Sequence, residues 1–337
     1  MNYYIKTFTT KPTEDINRFV EIIGYSPVSS GIRMRTEWHH FWAKMYIVLL
    51  VLLRLHRGDL LLIQYPYKKC YALTCMAAHL KGAKVITLIH DLNSFRRKRI
   101  SAEKENSLLM HTDYLICHND SMRRFLVEHG FSKPIGTLEL FDYIAAVHIP
   151  ASSEPHRPWQ VTYAGGLGYK RSPFLYDCDL DSQMQGWELQ LYGRKFLQER
   201  AGGWKNIHYN GLFTPEQLIN EVEGDFGLVW DGDSIDQCSG PYGEYLRINN
   251  PHKASFSLRM GLPVIIWRQA ALAKFVQENG IGICIDSLRD LNDVLACLSP
   301  EEYSAMRRNV EKISQRVGTG YYTHSALRVA EEALCNV

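Results

Sequence analysis

The chain has 337 residues, long enough for two ordinary domains, and its 46% hydrophobic and 22% charged content is that of a globular protein. Its 38 basic and 36 acidic residues leave a formal charge of +2, which argues against a protein that coats nucleic acid. Eight scattered cysteines, with no CxxC pair and no zinc-type spacing, fit reduced thiols in a cytosolic chain.

Met1–Lys6 has no apolar stretch of the length a secretion signal needs, and Asn2–Lys6 reads as a first strand. Thr9 and Thr10 follow it in a polar loop. Apolar spacing makes Thr13–Ile23 a helix, with Thr13 as its N-cap. Trp38–Leu53 is the one membrane-like segment, but its uninterrupted apolar part, Met45–Leu53, is well short of the ~20 residues a span needs. It reads as a buried amphipathic helix, or as a helix that meets a membrane surface or a second subunit. Strands follow at Leu60–Gln64, Lys84–His90, Tyr114–Cys117 and Ile135–Leu140. Helices run to Leu80, over Glu103–Met110 and over Ser121–His129, and Asp91–Arg99 is a loop. His90 and Asp91 therefore stand at one strand end, and His118 and Asn119 at another.

Ala151–Pro158, rich in Pro and Ser, is the clearest linker, and beyond it the alternation restarts. Gln160–Ala164 is a strand, and Gly165-Gly166-Leu167-Gly168 a flexible turn followed by Lys170 and Arg171. Further strands are expected at Trp187–Tyr192, Ile207–Gly211, Phe226–Trp230, Val264–Trp267 and Ile281–Ile285. Thr214-Pro215 starts a helix, and Leu288–Leu298, Pro300–Val317 and Tyr321–Cys335 are helical. Strands alternating with helices argue for mostly parallel sheets with right-handed crossovers. The expected division is 1–150, 156–318 and a closing helix over 319–337.

The stretch from Gly224 to Arg268 organises the second half. A buried strand is followed by a Gly-rich loop containing Tyr242, then Asn249-Asn250-Pro-His-Lys253 at a helix start, then Gly261-Leu-Pro and another strand. Open α/β sheets bind ligands beyond the carboxyl ends of their strands, and a helix start offers unpaired N–H groups to a phosphate. Lys253 adds a full charge in that first turn. Asn249 and Asn250 either bind a polar ligand or cap the helix. The glycines at 165 and 166 either admit a bulky polar ligand or form only a tight turn, and Lys170 and Arg171 favour the ligand. Asp231-Gly-Asp233 resembles a metal-binding DxD but reads as an Asp-Gly turn.

Lys253 followed by Gly261-Leu-Pro-Val-Ile resembles the corresponding element of GT-B glycosyltransferases, in which the lysine binds the donor diphosphate. Gly227-Leu-Val-Trp230 and Leu88-Ile-His-Asp91 are similar to signatures of two of their groups: bacterial β-1,6-galactofuranosyltransferases and the streptococcal glucosyltransferases that extend GlcNAc on adhesins. Many members of the fold family carry a Glu three residues after the lysine to hold the ribose; here that residue is Phe256. The resemblance implies an α/β chain of GT-B type: two Rossmann-like domains facing a cleft, with the C-terminal helix packing back on the first. The second domain would hold a UDP-sugar through Gly165, Gly166, Lys170, Arg171, Tyr242, Asn249, Asn250 and Lys253. Tyr209 would stack on the uracil, or be a core tyrosine. The first would hold a saccharide or glycolipid acceptor near Thr9, Thr10 and Asn119.

Inverting transfer needs a general base on the acceptor side, Asp91 first and His90 second, unless Asp91 pairs with the basic run Arg96–Arg99. That run is a solvated face or attracts an anionic lipid. Fixed cations and helix dipoles would neutralise the leaving diphosphate without a metal or other cofactor. The activity implied is hexosyl transfer in surface-polysaccharide or glycoconjugate synthesis, galactofuranose before glucose. A catalytically silent sugar-nucleotide-binding subunit is the rival, because the ribose contact is missing at Phe256. An epimerase is disfavoured by the absence of Tyr-x-x-x-Lys beside a Gly-rich fingerprint. No nucleic-acid partner is expected; a homo-oligomer is, in the cytoplasm or at the inner face of the membrane.

Overall fold

The computed structural model describes residues 1–6, 10–29, 37–67, 70–96, 100–146 and 154–335, with 37–41 as backbone only. The chain divides into two compact units, Met1–Asp142 with Gly320–Val337, and Tyr143–Thr319.

The first unit runs β1 (Asn2–Tyr4), α1 (Lys11–Ile22), β2 (Ser26–Pro27), α2 (Glu37–Arg54), β3 (Leu60–Tyr65), α3 (Tyr71–Leu80), β4 (Lys84–Ile89), α4 (Asn93–Arg96), α5 (Ala102–Leu109), β5 (Tyr114–Cys117), α6 (Asp120–Glu128) and β6 (Ile135–Thr137). All pairings are parallel, in the order β2-β1-β3-β4-β5-β6. Every residue of β3 is buried, as are the five residues of β4 after Lys84. Strands covered on both faces by crossover helices read as continuous apolar runs for this reason. The strand order reverses between β1 and β3, which makes their carboxyl ends the switch point of this sheet.

Helix α1 begins earlier than its apolar spacing suggests. Thr10, not Thr13, is the N-cap, and its N–H donates to Thr13 Oγ1 at 3.1 Å. Thr13 thus occupies the third helical position of a reciprocal cap, with Pro12 in the first turn. The loop expected over Asp91–Arg99 contains the single turn α4. Glu105 holds that turn, accepting N–H bonds from Asn93 at 2.8 Å and Ser94 at 2.9 Å. Thr9 and Arg97–Arg99 lie outside the described residues, as does Ala151–Ser153 of the expected linker.

The second unit runs β7 (Trp159–Gly166), α7 (Cys178–Gln183), β8 (Trp187–Arg194), β9 (Ile207–Gly211), α8 (Pro215–Glu221), β10 (Phe226–Val229), α9 (Gly240–Tyr245), α10 (His252–Arg259), β11 (Val264–Trp267), α11 (Ala273–Asn279), β12 (Gly282–Ile285), α12 (Leu291–Cys297) and α13 (Pro300–Thr319). Its order, β12-β11-β10-β7-β8-β9, is that of a dinucleotide-binding Rossmann sheet, with the switch between β7 and β10. Gly165 and Gly166 are not the expected flexible turn. They extend β7, paired with Gly193 and Arg194 of β8. Gly193 makes the pairing possible: at φ +149°, a Cβ there would sit 1.8 Å from the Gly165 carbonyl oxygen.

The last helix, α14 (Tyr321–Cys335), belongs to the first unit and packs on α1, β5 and β6. The carboxylate of Asp142 accepts from the N–H groups of Tyr322 at 3.3 Å and Thr323 at 2.6 Å. Farther along, Glu331 takes the Tyr25 hydroxyl at 2.6 Å. The family resemblance implied a C-terminal helix packing back on the first domain, and α14 is that helix.

Candidate active site

Buried charge gathers at the carboxyl ends of β7 and β10. Lys253, in the first turn of α10, has a side chain only 7% exposed. Its three N–H donors meet Asp231 Oδ1 at 3.0 Å, the Trp230 carbonyl at 2.8 Å and the Tyr163 hydroxyl at 3.1 Å. Tyr163 comes from β7, Trp230 and Asp231 follow β10, and so the lysine ties the two switch strands to α10. The Tyr163 hydroxyl also lies 2.8 Å from Ser172 Oγ, which donates to the Gly166 carbonyl at 3.0 Å. Burial pushes the Lys253 amine below its ordinary pKa while Asp231 opposes that shift; burial, seconded by Asp231, pushes the Tyr163 phenol well above its own.

Arg171 is the second cation. Its Nε stands 3.8 Å from Asp231 Oδ1 and its guanidinium faces the Tyr242 ring at 5.7 Å. A Cβ on Gly166 would come 3.0 Å from Arg171 Cδ, so the glycine leaves room for the arginine. Two cations against one carboxylate leave this cluster a net positive charge. Lys170 beside it is exposed. Asn249 and Asn250 lead into α10; Asn250 is 2% exposed, and the side-chain oxygen of Asn249 is buried with no hydrogen-bond partner among the described residues.

Of the residues singled out from sequence, Gly166, Arg171, Tyr242 and Lys253 therefore meet around Asp231. Asp231 itself, read as part of a turn, is the missing centre of the group, with Tyr163 and Ser172. The available signal was an acid directly after a buried strand. Tyr209 stands on β9, 39% exposed, with one ring face against Phe196 at 4.2 Å and its hydroxyl donating to the Gly193 carbonyl at 3.1 Å. Phe256 is 5% exposed and packs on Tyr143, so a ribose-binding carboxylate at this position would be buried in apolar packing.

In the first unit, a neutral hydrogen-bond chain runs from the end of β4 through the switch strand β3 to α1. His90, just after β4, has Nε2 2.7 Å from Gln64 Oε1 of β3. Gln64 turns its amide nitrogen to Asn17 Oδ1 of α1 at 2.8 Å and to the Thr13 carbonyl at 3.3 Å. Both are acceptors, so Gln64 presents its oxygen to His90, which must hold a proton on Nε2 and leaves Nδ1 as the basic nitrogen. The His90 ring stacks on Phe141 at 5.4 Å, and buried His118 meets the same ring edge-on at 4.9 Å. Asp91 forms an ion pair with Arg96. Thr10 and Asn119 are both helix N-caps, Asn119 accepting from the Met122 N–H at 3.0 Å. Sequence reasoning missed Gln64, a polar residue in a buried strand, and Asn17, a polar residue on the buried face of α1, because neither declares its partner.

Residues 5–140 and 161–330 match the Glucosyltransferase 3-like N-terminal and C-terminal domains respectively. The beta-1,6-galactofuranosyltransferase WbbI of Escherichia coli (strain K12) is 31% identical over 277 residues, 81% of this chain and 79% of that one. Glucosyltransferase 3 of Streptococcus gordonii is 26% identical over 249 residues, 73% of this chain and 70% of that one. Among solved structures, the lipopolysaccharide outer core galactosyltransferase WaaB superposes with a TM-score of 0.59 at 11% identity, covering 98% of this chain and 100% of its own. That likeness places the fold among GT-B glycosyltransferases. With both domains matched in order, the chain belongs to the Glucosyltransferase 3-like family and is a hexosyl-transferring glycosyltransferase.

Proposed function

We propose that the chain moves a hexosyl group from a UDP-sugar to a saccharide hydroxyl with inversion, galactofuranose being the favoured sugar. The observation that carries this reading is the net-positive cluster of Lys253, Arg171 and Asp231 at the β7–β10 switch. A diphosphate there would take the Arg171 guanidinium directly, with Lys170 and the N–H groups at the start of α10 as further donors. Lys253 gives all three of its protons to protein acceptors, so it exchanges one of them for a phosphate oxygen or acts through its charge. Because Asp231 is engaged by Lys253, these cations and not a metal on Asp231-Gly-Asp233 would neutralise the leaving diphosphate. The sugar preference rests on the greater identity to WbbI; the streptococcal relative supports UDP-glucose as the second reading.

His90 is the better base of the two candidates. The acceptor oxygen attacks the anomeric carbon, the bond to the diphosphate oxygen breaks, and the acceptor proton passes to Nδ1, which Gln64 leaves basic. Asp91 already holds Arg96. The test is UDP release with UDP-galactofuranose and UDP-glucose across a saccharide panel, alongside UDP binding by calorimetry. UDP binding that Arg171→Ala weakens about tenfold, with faster turnover of the galactofuranosyl donor, is expected. Unchanged binding in that variant would remove the site; faster turnover of UDP-glucose would reverse the sugar.

A further inference from the structure

Helix α2 has a buried face and an exposed apolar one. Ala43, Ile47, Val48, Val51 and Leu55 face the core, all 7% exposed or less. Trp42, Tyr46, Leu49 and Leu53 are 58%, 47%, 50% and 66% exposed. Their spacing of four, three and four residues draws one line along the helix. The neighbouring helix α3 repeats the arrangement, with Leu73, Met76 and Leu80 exposed at 42%, 51% and 80%. Single exposed apolar side chains are ordinary, but two adjacent rows mark a contact surface. No helix among the described residues is long and apolar enough to cross a membrane.

The charge around these rows selects the partner. Residues 37–90, from the start of α2, contain seven Lys and Arg and two acids, Glu37 and Asp59, and one of the lysines, Lys84, is paired with Asp113. Asp59 is 7% exposed, pairs with the N-terminal ammonium at 2.6 Å and accepts the His56 N–H at 2.8 Å, so it adds little negative charge to the surface. Arg54 and Arg57 are exposed at the end of α2, and Lys81 follows α3. The Gly58 N–H donates to the Gly82 carbonyl at 3.0 Å, which brings these basic ends together beside Leu53 and Leu80. A second copy would set this basic rim against itself. An anionic bilayer offers the opposite charge and an apolar layer at once, and Trp and Tyr suit its interface.

We propose that the α2–α3 face docks the protein on an anionic lipid surface, with α2 lying in the headgroup plane. This uses none of the side chains assigned to the sugar-nucleotide site, so it stands or falls independently of that reading. The experiment is flotation of the full chain with phosphatidylcholine vesicles, with and without about one third phosphatidylglycerol. Binding at least about tenfold stronger to the anionic vesicles is expected, and it should weaken at high salt. Leu49→Glu with Leu53→Glu, on an exposed face, should abolish flotation while leaving the melting temperature and UDP binding unchanged. Arg54→Glu with Lys81→Glu should erase the preference for anionic vesicles. Flotation that ignores both pairs of substitutions, or no flotation of the wild type, overturns the proposal. So does a dimer in light scattering that Leu49→Glu with Leu53→Glu dissociates.

Discussion

The carboxyl ends of the two sheets are furnished in opposite ways. At the β7–β10 switch a lysine, an arginine and an aspartate share a buried network. Near the β1–β3 switch a histidine, a glutamine and an asparagine form a relay without a formal charge, Gln64 linking His90 to Asn17. The same strand–helix grammar thus presents net charge in one unit and an oriented imidazole in the other. An anion needs fixed positive charge, and a proton acceptor needs one defined tautomer. The contrast matches the division of labour proposed for the units.

The largest effect belongs to Lys253. Removing it leaves the Asp231 carboxylate, whose side chain is 7% exposed, without its buried counter-ion. Lys253→Ala should cost about 3–5 kcal/mol in chemical denaturation, and adding Asp231→Asn should recover more than half of that. A smaller loss with no recovery would mean that the pair is not coupled.

The first unit should respond to pH instead. Burial lowers the His118 imidazole from 6.5 to about 4, so between those values the unfolded chain binds more protons and stability falls as pH falls. The full window amounts to about 3 kcal/mol. Asp142 has the opposite sign. Burial raises it from 3.8 to about 7, so the folded state binds more protons there and stability falls as pH rises. The two slopes offset each other where they overlap. Wild-type stability should therefore be shallow in pH near 5, steepening toward acid loss in Asp142→Asn and toward alkaline loss in His118→Gln. Parallel curves for all three proteins would discount both groups.

Most strands were legible because they are short apolar runs bounded by Gly or polar breaks, whereas β2 (Ser26–Pro27), with no apolar run, was not among the expected strands; Tyr321–Cys335 was legible because a long periodic helix is hard to mistake. Lys253 stood out for its place at a helix start. Asp231 did not, because whether an acid after a strand turns outward or inward depends on Tyr163, 68 residues away, and on a helix that follows it. Gly165 and Gly166 carry turn propensity and lie in a strand, since pairing with Gly193 and Arg194 outweighs propensity. Asp91 and Asn119 were singled out for being at strand ends; the fold also engages them locally, one with Arg96 and one as a cap.

Gly166 offers a milder probe of the charged site. Its added Cβ would crowd Arg171 Cδ at 3.0 Å, whereas a Cβ on Gly165 would meet only Tyr163 Cε1, at 3.9 Å. Gly166→Ala should weaken UDP binding several-fold, up to about tenfold, and Gly165→Ala should leave it within about twofold. Equal losses in the two variants would assign the effect to the strand and not to the arginine.

The smallest change tests the neutral relay. Gln64→Glu keeps the length of the side chain and replaces its amide with a carboxylate beside His90 Nε2, now 2.7 Å from an oxygen. A carboxylate at that distance favours the imidazolium, so His90 would hold its second proton to higher pH. Since a protonated Nδ1 cannot accept the acceptor's proton, the acid limb of kcat/KM should move up by about one pH unit. The plateau above it should change little, because the tautomer that leaves Nδ1 basic is retained. The Gln64 Nε2 bonds to Asn17 Oδ1 and the Thr13 carbonyl are lost in this variant, so a modest fall in melting temperature is expected as well. That fall alone, with the acid limb unmoved, would make Gln64 a packing residue and return Asp91 to first place as the base.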